Sequence, residues 1–430
     1  MDRLEKISFF KIILILGVFH FLLLSFNLYV LFILFSFFVS IYISYTFKNK
    51  SSLVIHWINP FLILHNQSFV LYRLLVFGNV EHELEFEILL MSFISFYSFN
   101  IIYMLFLTSN KSFNLNLKAN KYIYRFLWAF TGLGLVFYLY LILATQGLNS
   151  KRDVANFLLS NSSLGYLYAL SGLFLTLVFY DLFSSRYQGK TIKRKIIVYG
   201  SFFSLIFLIL GERELLFTYI IGLIFLFSYY RKKFLIWIYY CFILLILFVA
   251  PYTSLLKSIF ISGNSIDLNE TSFEERGFDD FMTVGTNIVR VYERNGLIPV
   301  SSKNLILDDI GNLFGLSLNS ARWYNLEFLG RGLDMTGYGF SLQLTGFLDM
   351  SYLGIFVIYS LLAFTVSLIY NLFSKSYLGL SFLISLIYLI VYIQRQDFAY
   401  FLNIFVKLML IPYILMVTVK FLDNDRKRKI

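Results

Sequence analysis

An all-helical protein that threads a membrane many times is what this sequence predicts, on three observations. Apolar residues fill 59% of its 430 positions and charged residues only 14%, with a mean hydropathy of +0.74, which excludes a string of soluble domains. The apolar residues fall in runs such as 12–26, 28–47, 88–107 and 355–372, close to the roughly 20 residues needed to cross about 30 Å of hydrocarbon. Barrel strands would be about half as long and would alternate, whereas a helix satisfies its backbone polar groups within its own segment.

In chain order, the charged start at 1–11 runs into an apolar stretch without a small-residue cleavage site, so the first span is expected to be retained. About twelve spans follow, centred near residues 16, 37, 65, 97, 135, 173, 203, 222, 242, 360, 386 and 409. The third carries His56, Pro60, His65, Asn66 and Arg73, a content that suits a broken, interfacial or protein-lined helix. Residues 1–250 then hold nine spans, 251–345 form one large polar loop, and 346–430 hold the last three spans and a basic tail. The one cysteine, Cys241, cannot form an intrachain disulfide.

The basic residues orient this array. With the N-terminus in the cytoplasm, cytoplasmic segments collect 23 Lys and Arg and the short outer loops only four, Lys151, Arg152, Arg213 and Arg395. Both termini are therefore expected in the cytoplasm, the protein in the cytoplasmic membrane and the large loop outside it. The net charge of +11 lies on the cytoplasmic rim, where anionic lipid attracts it, and calls for no nucleic acid.

Polar chemistry concentrates in two places. Gly211, Glu212, Arg213 and Glu214 separate the short apolar runs 196–210 and 215–230. Read plainly, they form a tight helical hairpin with a solvated tip; read functionally, Arg213 grips an anionic group and the glutamates orient it. The large loop holds 11 of the 25 acidic residues and seven basic ones, five of them Arg, whose planar fork suits phosphate oxygens. Arg290, Glu293 and Arg294 share one helix face, and Arg322 and Arg331 lie further along. Salt bridging on a soluble surface accounts for most such arrangements. Gly330, Gly332, Gly337 and Gly339 suggest a tight entry to the tenth span or an anion nest, and no phosphate-binding Lys-Ser/Thr ending follows them. Arg395 and Asp397 occupy the last outer turn, while Asp349 is expected to face the bundle interior.

The four histidines all precede the loop. A general base there must be a carboxylate, with Asp280, Glu293, Glu327 and Asp334 the candidates. Asp279 and Asp280, like Asp308 and Asp309, are adjacent and point apart in any regular structure, so a metal-independent reaction without a cofactor is favoured.

Together these features resemble the Wzy-type O-antigen and oligosaccharide repeat-unit polymerases of bacterial envelopes. The resemblance rests on the many-span aromatic bundle, the arginine of Gly211-Glu212-Arg213, the long loop before the last spans, and the passage Tyr324-Asn325-Leu326-Glu327-Phe328, Gly337-Tyr338-Gly339-Phe340-Ser341 and 346–354. Family members often carry a Glu, an aromatic and an Asn entering the following helix, where this chain has Thr345, Phe347 and Asp349. The resemblance implies transfer of a growing glycan from polyprenyl pyrophosphate to a sugar hydroxyl of another lipid-linked unit. Arg213, Arg290, Arg294, Arg322, Arg331 and Arg395 would then hold the pyrophosphate, and Trp323, Tyr324 and Tyr338 would stack on sugars. A chain-length regulator and a flippase are implied partners, besides membrane lipid. Ligases of the same architecture typically use a loop histidine, which is absent here. Another polyprenyl-dependent glycosyltransferase and a flippase are the competing readings, although no internal repeat of the transporter kind is evident.

Overall fold

The computed structural model describes residues 3–48, 54–76, 82–107, 121–144, 173–187, 191–210, 213–231, 236–238, 240, 241, 243, 245, 273–300, 303–330, 340–374 and 376–418. Among them the regular structure is helical throughout. The helices are α1 (Arg3–Ser25), α2 (Tyr29–Thr46), α3 (Ile55–Val76), α4 (His82–Phe106), α5 (Lys121–Ala144), α6 (Leu173–Tyr187), α7 (Lys193–Leu210) and α8 (Arg213–Tyr230). There follow α9 (Phe273–Asn295), α10 (Leu305–Asn312), α11 (Ser320–Trp323), α12 (Leu342–Phe373), α13 (Tyr377–Tyr392) and α14 (Phe398–Ile404). A π-helical turn, Tyr324–Phe328, extends α11, and another, Phe405–Leu410, carries α14 onward.

Five segments are long and apolar enough to cross a membrane: Ile7–Ser25, Tyr29–Thr46, Glu83–Phe106, Leu342–Phe373 and Phe398–Thr418. Shorter apolar helices lie at Tyr122–Phe137, Leu216–Tyr230 and Tyr377–Ile387. α1 and α2 turn Leu14, Ile15, Val18, Phe19, Leu31 and Leu34 outward, as a helix apolar on all sides does when its solvent is lipid.

Of the readings open for the third span, the structure selects the protein-lined one. Every residue from Val54 to Ser68 is buried, because α2, α4, α9 and α13 surround α3. For Asn59 and Gln67, burial is offset by partners on the neighbours. The Gln67 amide donates to Ser36 (2.9 Å) and Ser92 (2.8 Å), and Asn59 and Asn100 exchange amide bonds at 2.8 and 3.0 Å. α9, from the large loop, lies along α3 by the stripe Phe281, Val284, Ile288 and Val291, the 3–4 spacing of an amphipathic helix.

α12 is not one straight span. The backbone reverses at Met350 and Ser351, with Ser351 at φ +56°, so 342–349 folds back antiparallel to 352–373. Contacts with α4 fix the depth of each part. The Tyr352 hydroxyl donates to Glu87 and the Asn371 amide to the Phe106 carbonyl, whereas the Gln343 amide reaches Ser95, eight residues further along α4. The half-helix 342–349 therefore begins about 12 Å inside the bundle and climbs to the reversal. Asp349, expected a few residues inside a span, stands at that reversal. Gly346 and Gly354 touch at the crossing: a Cβ on Gly354 would lie 1.9 Å from the Gly346 carbonyl oxygen.

Gly354→Ala is expected to destabilise the protein by about 3 kcal/mol through this overlap. Gly132→Ala, with nothing within 4 Å of the new methyl, serves as the control. Thermal unfolding in detergent checks this, and equal midpoints for the two variants would contradict the crossing.

Candidate active site

The large loop docks at one end of the bundle, where α3 ends and α4 begins. Arg73 and Glu85 mark that end with an ion pair at 2.9 Å, in which the glutamate is fully buried. The docking is made by three carboxylates that cap helix N-termini. Asp349 accepts from the Leu305 and Ile306 amides at 3.2 and 3.3 Å, capping α10. Asp309 accepts from the Ser320 amide (2.7 Å), the Ser320 hydroxyl (3.0 Å) and the Phe398 amide (3.0 Å). Asp397 accepts from the Tyr400 amide (2.7 Å) and the Ala321 amide (3.3 Å).

Asp309 and Asp397 thus lie between the N-termini of α11 and α14 and serve both. These ends present unpaired N–H groups and the positive pole of the helix dipole, the setting in which a buried carboxylate is tolerated. Burial still pushes both acids upward. Asp397 rises to about 6, and Asp309, with the Asp397 charge beside it, rises well above the usual carboxylate range. The pair therefore retains a proton where free aspartates have lost theirs.

The turn carrying Asp397 is recessed. Gln394, just before Arg395, accepts from the Tyr359 hydroxyl at 2.6 Å, and Tyr359 lies seven residues, or about 10 Å, deeper than Tyr352. The turn touches α3, α9, α12 and α14. Irregular backbone at such depth persists only where protein or a polar cavity surrounds it. Arg395 is half-buried there. The side-chain NH2 of Gln394, next to it in the chain, and the side-chain oxygen of Gln343 are buried and have no hydrogen-bond partner among the described residues.

The residues expected from sequence separate into three groups. Arg331, Asp334 and Tyr338 lie outside the described residues. The backbone of Asp280 is in α9 and that of Arg213 opens α8, with both side chains outside the described set. The rest are brought to the docked loop and the recessed turn. Arg290 donates to Asn287 at 3.2 Å, Glu293 and Arg322 are exposed, and Arg294 sits over the Phe328 ring at 5.4 Å. Glu327 pairs with Lys303 at 3.0 Å in an exposed bridge of small energetic weight.

Trp323 and Tyr324 correct an expectation. They are 6% and 0% exposed, packed on Phe328 and Phe340 with ring centroids 4.6 to 5.8 Å apart. They form the loop's core and present no ring face to a sugar. Asp349 holds the loop rather than facing the bundle interior. Sequence reasoning noted Arg73 only as part of the third span and Asp309 only as one of an adjacent pair, and it passed over Gln394. The spacing of α10, with Leu305, Ile306 and Asp309 on one face, is the signal that placed Asp309 inward.

No protein-family model, curated protein or solved structure matches the chain.

The folded carboxyl pair holds a proton that the unfolded chain, with aspartates near 3.8, releases. Stability from this source is complete below the unfolded value and falls as pH rises through about 6 for Asp397. Hydrogen exchange at the Ser320 and Phe398 amides, corrected for its intrinsic pH dependence, should be slower at about pH 5 than at about pH 8. Identical protection at both pH values would contradict the retained proton.

Proposed function

We propose that the protein joins oligosaccharide repeat units carried on polyprenyl pyrophosphate into a longer glycan, on the outer face of the cytoplasmic membrane. The observation that carries this reading is the recessed turn, where a half-buried arginine, amides with open hydrogen-bonding capacity and a docked polar loop meet inside an apolar bundle. A lipid-linked sugar pyrophosphate needs that combination: apolar walls for the prenyl chain, fixed positive charge for the leaving group, and polar atoms for sugar hydroxyls.

In the proposed reaction the acceptor hydroxyl attacks the anomeric carbon of the donor sugar, the bond to pyrophosphate oxygen breaks, and a carboxylate takes the hydroxyl proton. Arg395 stabilises the charge that develops on the pyrophosphate, and its guanidinium matches two phosphate oxygens at once. Arg213 and Arg331 remain candidates for the same clamp. Asp309 and Asp397 spend their lone pairs on backbone N–H groups, which suits them to hold the turn. The base is then to be sought among Asp280, Glu293, Glu327 and Asp334, the first and last sharing the loop with the two exposed glutamates.

Deleting the gene and resolving the surface glycan by length tests the reading. Collapse of a ladder to one capped repeat is expected, with wild type restoring it. Full-length glycan left on its lipid would instead indicate a ligase, and precursor trapped inside a flippase. Arg395→Ala at normal protein level should reduce elongation by about 100-fold, the scale of losing one oxyanion-stabilising donor. Arg395→Lys should restore part of it, because charge returns without the bidentate fork. Undiminished elongation in Arg395→Ala, Arg213→Ala and Arg331→Ala would eliminate the clamp.

A further inference from the structure

The segment 305–318 is a hairpin whose apolar tip is left open among the described residues, and its register against the last span fixes where that tip lies. Asp309 accepts from the Phe398 amide, and the Asn403 amide donates to the Asn312 side chain at 3.1 Å. α10 thus runs in the same direction as α14, and Asn312 is level with a residue five positions, about 7.5 Å, beyond the start of the apolar span Phe398–Thr418. The chain continues that way for another turn and then reverses at Gly315, whose φ of +73° favours glycine.

Three bonds close the reversal. The Leu316 amide donates to the Gly311 carbonyl at 3.1 Å, the Ser317 hydroxyl to the Asp308 carbonyl at 2.6 Å, and the Asn312 amide to the Ser317 carbonyl at 2.8 Å. The strand 316–320 then returns along α10 to the Asp309 carboxylate. The tip is therefore the part of the hairpin that goes furthest along the span. Its side chains are apolar and open, with Phe314 70% and Leu316 80% exposed. Leu307 and Leu318 extend the open apolar surface up the hairpin, and Met350, Leu353 and Phe356 continue it at the reversal and upper face of α12, where Asp349 fixes the start of α10.

In water such a loop tip would be an aggregation liability. Beside a lipid-facing span, at the depth its own hydrogen bonds set, it is surface in its proper solvent. We propose that residues 314–316 are immersed in the acyl chains of the bilayer, so that the large loop is held from two sides, by the capped helix ends within the protein and by lipid outside it. The occupant is membrane lipid, because the exposed tip is continuous with the exposed apolar surface of the spans and the backbone at the tip satisfies itself locally, as hydrocarbon requires. This inference stands apart from the proposed reaction.

The test uses the full chain with Cys241→Ser, reconstituted in phosphatidylethanolamine and phosphatidylglycerol vesicles, with a small fluorescent label on Leu316→Cys or, as the aqueous reference, on the exposed Glu293→Cys. The label at 316 should emit at shorter wavelength, lose most of its emission when the acyl chains are brominated, and resist iodide. The label at 293 should show the reverse. Iodide quenching at 316 without quenching by brominated chains would place the tip in water and overturn the proposal. Resistance at 316 to both quenchers would overturn it too, by showing the tip covered by protein. Phe314→Cys repeats the test should the label at 316 disturb the fold, and monodisperse elution in detergent decides which variant is used.

Discussion

Two buried carboxylates shared between two helix N-termini hold this structure together at its working end. A helix that starts in a buried place leaves amide N–H groups that water cannot reach, and each such group left unpaired costs about 1–3 kcal/mol. α11 and α14 both start there. Asp309 and Asp397 answer four of their N–H groups, at Ser320, Ala321, Phe398 and Tyr400. Each acid takes its hydrogen bonds from both helix ends, so one pair of side chains satisfies two termini. Burial pushes both groups upward, and for Asp309 the Asp397 charge adds to it, so that a retained proton relieves the repulsion between them.

From that junction the rest follows. Because α14 begins deep, α13 ends deep, and the turn between them carries Gln394 and Arg395 below the level at which Tyr352 meets Glu87. The half-helix 342–349 starts at a matching depth, with Thr345 within 3.2 Å of the Ser320 hydroxyl. Its return is possible because Gly346 and Gly354 let two backbones meet where any side chain would collide. A cation placed in such a recess acts through a lower effective dielectric than one at the surface, so its pull on an anion is several times larger. Arg322 and Arg294, exposed on the loop, are the weaker charges by the same reasoning.

Much of this was legible in the sequence, and what was not has a physical reason. Lipid-length runs announced helices because hydrocarbon allows little else, and the polar content of 55–76 announced a helix walled by protein. Arg395 stood out as a charge in a short turn between apolar runs. The caps were hidden: Asp349 serves Leu305 and Asp397 serves Ala321, 44 and 76 residues away, and local pattern reports only partners within a few positions. The reversal at Met350 and Ser351 was hidden as well, since apolar residues on both sides of it read as one continuous span. Trp323 and Tyr324 misled for a related reason. An aromatic pair in a polar loop looks available to a ligand, yet a loop of this size needs a core of its own.

That core bears on how such a site could turn over. Loops with few buried contacts open easily, and catalytic lids are usually drawn from them. Residues 303–330 are the opposite case, with Leu305, Ile306, Trp323 and Tyr324 buried and three carboxylates binding the segment to two different spans. On the proposed reading, substrate exchange therefore does not require this part of the loop to lift away. Access is better supplied from the sides: the prenyl chain between apolar helices, the glycan past the exposed polar face of α9, where Glu293 and Arg294 stand clear of the bundle. A rigid loop over a recessed cation favours preorganised charge over induced closure, and preorganisation is the larger source of rate where the task is to stabilise a departing pyrophosphate.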